Sequence, residues 1–138
     1  MYRTILLAYD GSDHAQKAAA LAGEEARLHQ AKLVIVYAYD PVPEWLGDPL
    51  FEEAVARRVT LAKEKVEEAK ERVGEVPALE VEVLEGPPAE AILRAAETHA
   101  ADLIVMGTRG LGGLAGTLLG SQSQKVVMLA KAPVLLVK

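Results

Sequence analysis

Gly107-Thr-Arg-Gly110 and, nine residues further on, Gly120-Ser-Gln-Ser123 are the residues of this 138-residue chain whose types and spacing are best suited to chemistry. The first group directly follows the apolar run Asp102-Leu-Ile-Val-Met106, so a buried strand is expected to run straight into a glycine-rich turn. Glycines at 107, 110, 112, 113, 116 and 120 remove the side chains that would hold a polyanion off the backbone. They also permit the positive φ values that gather successive N–H groups into one concavity. Residues 121–130 then read as a helix whose first turn offers two hydroxyls and unbonded N–H groups at the positive end of its dipole. A phosphate held there would gain charge stabilisation and hydrogen bonds together, with Arg109 as an added cation. The plainer reading is a flexible loop ending in a serine N-cap; the strand before it, the helix after it and the arginine within it favour the anion site.

Two familiar phosphate motifs fail on the letters. A Walker A loop ends in Gly-Lys-Ser/Thr, and the chain contains no Gly-Lys pair. A dinucleotide fingerprint occurs in weak form as Gly110-Leu-Gly112-Gly113-Leu-Ala115, but it starts several residues past the strand and lacks the acidic residue expected about 20 positions on. The spacing that remains, Gly-x2-Gly-x9-Gly-Ser at 107, 110, 120 and 121, resembles the ATP-binding subgroup of the universal stress protein family. The opening Arg3-Thr-Ile-Leu-Leu-Ala-Tyr-Asp10-Gly-Ser12 is similar to that family's first strand and Asp-Gly-Ser turn, and Ala132-Pro-Val-Leu-Leu-Val137 to its closing strand.

The elements that must position these residues are legible from hydrophobic period. Residues 3–9 and 33–39 are aliphatic runs too short for core helices, each ending at an aspartate, and both read as buried parallel strands. Between them 13–30 forms an alanine-rich helix, with Ala15, Ala18, Ala19, Leu21, Ala22 and Ala26 as its inner face and Asp13 with Gln16 as a capping pair. Leu79-Glu-Val-Glu-Val-Leu84 alternates, which places it near a sheet edge. A helix over about 88–99 opens at Gly86-Pro-Pro88, and strand 102–106, helix 121–130 and strand 133–137 complete a β-α-β-α-β-α-β-α-β order. Right-handed crossovers make this an α/β fold, a single domain over 1–138 with a doubly wound, five-stranded parallel sheet. The resemblance implies a Rossmann-like sheet of the adenine nucleotide alpha hydrolase type, in the order 3-2-1-4-5.

Residues 40–49, with Pro41, Pro43, Gly47 and Pro49, predict a loop, and 50–73 a long charged helix. Its apolar seam at Val55, Val59, Ala62, Val66, Ala69 and Val73 steps by four and three and is expected to pack on the chain's own sheet rather than on a coiled-coil partner. Trp45, the sole tryptophan, is expected to anchor the loop by packing, with a lid residue as the alternative.

Composition bounds the function. A net charge of −5 and only 4% aromatic residues argue against a nucleic-acid surface. No apolar run approaches membrane-spanning length and no signal peptide pattern opens the chain, so a cytoplasmic location is expected. The absence of cysteine excludes disulfides, thiol catalysis and zinc–thiolate sites. The absence of asparagine, with abundant Glu, Lys, Arg, Ala and Leu, is a composition found in thermophiles.

Ligands of open α/β sheets bind at the carboxyl ends of the strands, where strand order reverses. The family resemblance implies that Ala8, Tyr9 and Asp10 line a nucleoside, that Ala38 offers backbone contacts to adenine, and that Met106 and Gly107 flank base and ribose. It places a triphosphate against Arg109, Gly110, Gly120, Ser121, Gln122 and Ser123, the Gln122 contact being through its backbone. The implied ligand is ATP, with Mg²⁺ as an accompanying ion, in a stress-response or signalling module whose nucleotide occupancy regulates conformation or an unknown protein partner. The apolar last strand, Val134-Leu-Leu-Val137, implies a homodimer formed along a sheet edge. The alternatives are a slow ATP hydrolase or phosphotransferase, whose base would have to be Asp10 or His14, and an interaction domain with a vestigial site. Individual side chains keep rival readings. Asp10 is either a ribose or magnesium ligand or a turn residue; Arg109 either pairs with phosphate or serves solubility; His14, His29 and His99 form no metal-ligand spacing.

Overall fold

A computed structural model describes residues 1–109 and 119–138. The strands are β1 (Thr4–Ala8), β2 (Lys32–Tyr39), β3 (Ala78–Glu85), β4 (Leu103–Gly107) and β5 (Val134–Val137). The helices are α1 (Asp13–His29), α2 (Leu50–Val73), α3 (Pro88–Thr98) and α4 (Ser121–Leu129). The strands form one parallel sheet in the order β3-β2-β1-β4-β5, as the family resemblance implies. Order reverses at β1, so the ends of β1, β2 and β4 share one crevice.

The central strands are buried on both faces, which explains their unbroken aliphatic runs. Strand alternation sorts them into two cores. Ile5, Leu7, Tyr9, Leu33 and Ile35 meet the alanine face of α1 together with Ala69 and Val73 of α2. Leu6, Ala8, Val34, Val36, Ile104 and Met106 meet α3 and Val126 of α4. Register places Ala8 level with Val36 and Leu7 level with Val105, so Met106 stands beside Ala8 and Gly107 runs past the end of β1.

The small residues of α1 serve close packing. Gly23 sits where α2 ends; a Cβ there would lie 2.1 Å from the Val73 carbonyl oxygen. That contact explains a glycine inside a helix, where it costs about 1 kcal/mol relative to alanine. Leu21, expected on the inner face, is only half-buried. The cap of α1 also differs from expectation. Ser12, not Asp13, is the N-cap, its Oγ accepting from the Ala15 N–H at 3.2 Å, while Gln16 Nε2 donates to the Gly11 carbonyl at 3.2 Å. Asp10 accepts the Ser12 N–H at 2.9 Å, and this turn holds Ser12 extended at φ −64° and ψ 163°, which starts the helix one residue sooner.

The seam of α2 divides in two. Ala62, Val66, Ala69 and Val73 pack on the sheet, as expected, whereas Val55 and Val59 remain 37% and 49% exposed. The first half of the helix lies beside the 40–49 loop, where Tyr39, Pro41 and Val42 share a cavity with Val55 and Val59. Trp45 is no anchor: it stands 83% exposed in a 3₁₀ turn over Glu44–Leu46. Both β3 and β5 are edge strands, most residues of β3 being exposed and those of β5 half-buried, and β5 pairs with β4 alone among the described residues.

Candidate functional site

A cleft of about 460 Å³ opens at the carboxyl ends of β1, β2 and β4, within the size range of small-molecule sites. Ala8, Tyr9, Asp10, Ala38, Met106, Gly107, Arg109, Gly120, Ser121, Gln122 and Ser123 all line it. Gly110, the remaining candidate, lies outside the described residues.

The two sides of the sheet give this cleft different walls. On the α3 side the strands end in Ala8, Val36 and Ala38, and Pro88 and Ile92 of α3 stand opposite, leaving an apolar slot between sheet and helix. On the α2 side the strand ends carry Tyr9, Tyr37 and Tyr39, with Arg58 and Leu61 of α2 beside them. Small residues make room on one side and large ones fill it on the other. Tyr9 donates to Glu68, and burial, followed by that bond, raises the phenol far above its ordinary value. The same bond, more than the Lys65 charge, lowers the Glu68 carboxyl. Burial also raises Tyr37, against the opposing effect of Lys65. Both phenols therefore face the cleft neutral.

Helix α4 opens toward the cleft. Its first backbone bond is made by Gln124 N–H to the Gly120 carbonyl at 2.9 Å, so the N–H groups of Ser121, Gln122 and Ser123 precede the ladder. No side chain among the described residues caps them. Gly120 is itself the N-cap, at φ −67° and ψ 157°, and its N–H donates to the Thr108 carbonyl at 2.7 Å, which joins the two ends of the glycine-rich segment.

Several expectations about this segment need correction. Gly120 does not use positive φ; the positive-φ glycines among the described residues are Gly11, Gly47, Gly74 and Gly86. Gly107 is a packing requirement, since a Cβ there would lie 2.7 Å from the Cβ of His14. Ser121 is the first helical residue rather than the cap. The Ser123 hydroxyl is buried and donates to the Gly107 carbonyl at 3.0 Å, tying α4 to the end of β4. Gln122 Oε1 accepts the Ala89 N–H at 2.9 Å, which caps α3 and leaves the Gln122 backbone to the cleft.

Asp10 lines the cleft, and its Oδ1 completes the Ser12 turn, which is the turn reading of this residue. Arg109 lines the cleft, and its carbonyl accepts from Ser12 Oγ at 3.5 Å. His14 does not line it; its Nδ1 lies 2.8 Å from Thr108 Oγ1 and ties α1 to the loop stem. No group of three or more His, Cys, Asp or Glu residues suited to a metal occurs among the described residues. The walls from α2 and α3 were missed. Pro88 carries a signal, because a helix following a parallel strand starts at the ligand edge, but Arg58 and Leu61 sit two turns inside α2 with nothing local to mark them.

The Universal stress protein family matches residues 1–138, the whole chain. The chain belongs to the universal stress protein family. It is 58% identical over all 138 residues to the full length of a universal stress protein of Thermus aquaticus, from the QAH/OAS sulfhydrylase 3′ region. Universal stress protein UspA of Lactobacillus plantarum matches with a TM-score of 0.88 and 31% identity, over 99% of this chain and 98% of that one. A universal stress protein solved in complex with cAMP matches at TM-score 0.70 and 32% identity over 99% and 97% of the two chains. That of Archaeoglobus fulgidus in complex with dAMP matches at 0.74 and 26% over 99% and 98%. No helix among the described residues is long and apolar enough to cross a membrane.

Proposed function

We propose that this universal stress protein binds an adenine nucleotide, and specifically ATP, in the cleft at the carboxyl edge of its sheet. The observation that carries the reading is the start of α4, where three backbone N–H groups and Arg109 border the same cleft as an apolar slot of base-sized character. The base lies between Ala8, Val36 and Ala38 on the sheet and Ile92 on α3, the ribose at Asp10, and the phosphates against Gly120–Ser123. Relatives solved with cAMP and dAMP support an adenine ligand. Mg²⁺ would arrive on the phosphates, with Asp10 and Asp40 the carboxylates of the lining, because a hard cation with few protein ligands keeps water and phosphate oxygens.

The protein holds its nucleotide rather than consuming it. Catalysis of phosphoryl transfer needs a positioned base and charge at the leaving phosphate. Asp10 is engaged in its own turn and His14 lies outside the lining. In this reading occupancy biases conformation or the choice of partner in the cytoplasm, and a homodimer forms along β5. Val127, Met128 and Leu129 at the end of α4, the helix that precedes β5 in the chain, are 43%, 80% and 64% exposed, apolar surface open to such a dimer. Mass spectrometry of small molecules released from freshly purified protein, followed by calorimetric titration with ATP, ADP, AMP and cAMP, tests the assignment. ATP is expected to be released and to bind most tightly. Equal binding of adenosine would remove the phosphate cradle, and ADP formation abolished by Asp10→Ala would establish turnover.

A further inference from the structure

A second cavity of about 390 Å³ adjoins the cleft on the α2 side, sharing Tyr39 and Arg58 with it. Val55, Val59 and Ala62 of α2 form one wall, Val83 of the edge strand β3 the other, and Val42 with Phe51 closes the end. These are the seam residues that the sheet leaves uncovered. The apolar surface continues outside the groove through Leu50 and Trp45, 55% and 83% exposed, so it is broader than a small ligand would fill.

The rim is acidic. Glu44 and Glu85 line the groove, and residues 40–53 contain Asp40, Glu44, Asp48, Glu52 and Glu53 with no lysine or arginine. Among the described residues, none of the side chains of Glu44, Asp48, Glu52, Glu53 or Glu85 makes an ion pair or a hydrogen bond. By contrast, Glu80 pairs with Lys32 at 2.6 Å and Glu97 with Lys131 at 3.2 Å. Arg58 is the one cation of the lining, against Glu44 and Glu85, and with the five carboxylates of residues 40–53 the rim keeps a net negative charge, which repels a second copy of the same rim and an anionic lipid surface alike. It favours cations flanking an apolar face.

We propose that this groove is a docking site for a basic amphipathic helix of a partner protein. The partner lays its apolar face between α2 and β3 and sets its lysines or arginines against Glu44 and Glu85, in the helix-in-groove mode. The inference rests on the groove alone and not on the nucleotide reading, so it is tested with nucleotide-free protein.

The probe is a designed helix of leucine and lysine at amphipathic spacing, with a leucine/glutamate helix of the same spacing as control, and Trp45 is the fluorescent reporter. The leucine/lysine helix is expected to give a saturable blue shift that weakens about tenfold from low to high salt as exposed charges are screened. The control helix is expected to give none. Val59→Gln, at a half-exposed position the fold does not depend on, should weaken binding about fivefold by removing apolar contact. The Glu44→Lys/Glu85→Lys double variant should reverse the preference between the two helices. Absence of a shift with the leucine/lysine helix, equal binding of both helices, or undiminished leucine/lysine binding by the charge-reversed variant would each overturn the proposal.

Discussion

Two helices of this protein begin at the same two letters, Gly-Ser, at the same edge of the sheet, and they begin differently. At α1, Gly11 takes φ +84° against the Lys65 side chain, Ser12 is the cap, and its hydroxyl satisfies the Ala15 N–H. At α4, Gly120 is the cap at an ordinary negative φ, Ser121 is already helical, and no side chain among the described residues meets the first N–H groups. The third ligand-edge start, α3, is closed by Gln122 through the Ala89 N–H. Among the described residues, the start of α4 therefore has no side-chain acceptor for its first N–H groups, while α1 and α3 each have one supplied from within the fold. The dipoles are alike; the difference lies in which orphan donors already have partners.

Substitutions at the glycines and caps separate these roles. The largest expected effect is at Gly120: a β-branched side chain there bars close approach of a phosphate, and Gly120→Val should weaken ATP binding about a hundredfold, roughly 2.7 kcal/mol, in calorimetry. Gly107→Ala should act on folding instead. Its Cβ meets His14 at 2.7 Å, and such overpacking lowers stability by about 1–3 kcal/mol in urea denaturation. Ser12→Ala removes the internal cap of α1 and should cost about 1 kcal/mol of stability while changing ATP affinity less than about threefold. A hundredfold loss of affinity in Ser12→Ala, or none in Gly120→Val, would erase the distinction between the two helix starts.

The smallest effect concerns pH. The Tyr9 phenol is raised in the folded chain by burial and by its bond to Glu68. Below about pH 10 both folded and unfolded states hold the proton and the contribution is complete; above it the unfolded chain loses its proton first, so stability falls as pH rises. Tyr9→Phe should flatten the alkaline limb of a thermal-stability profile. Glu68 works in the other direction, because its lowered carboxyl contributes above the unfolded carboxyl value and the contribution is lost as pH falls through the folded one.

Local pattern and spacing carried most of the architecture. Aliphatic runs bounded by aspartates marked β1 and β2, and the run 50–73 matches α2 residue for residue. The residues that the family resemblance implied, at three separate strand ends and one helix start, line a single cleft wherever they are described. What the letters concealed depends on long-range contacts. Nothing near Gly107 announces that His14 needs its space, and nothing near Gln122 that its side chain serves α3. Trp45 failed as an anchor because apolarity alone does not ensure that a surface lies within reach. The cap of α1 moved by one residue because Asp10 and Ser12 formed a turn of their own.

The most direct test of the nucleotide site follows backbone amide resonances of ¹⁵N-labelled protein during titration with ATP. The account predicts that Ser121, Gln122 and Ser123 show the largest amide shifts and that adenosine fails to reproduce them, while Ala15 at the sealed start of α1 moves little. Saturating ATP binding that leaves the amides of Ser121–Ser123 in place would contradict it.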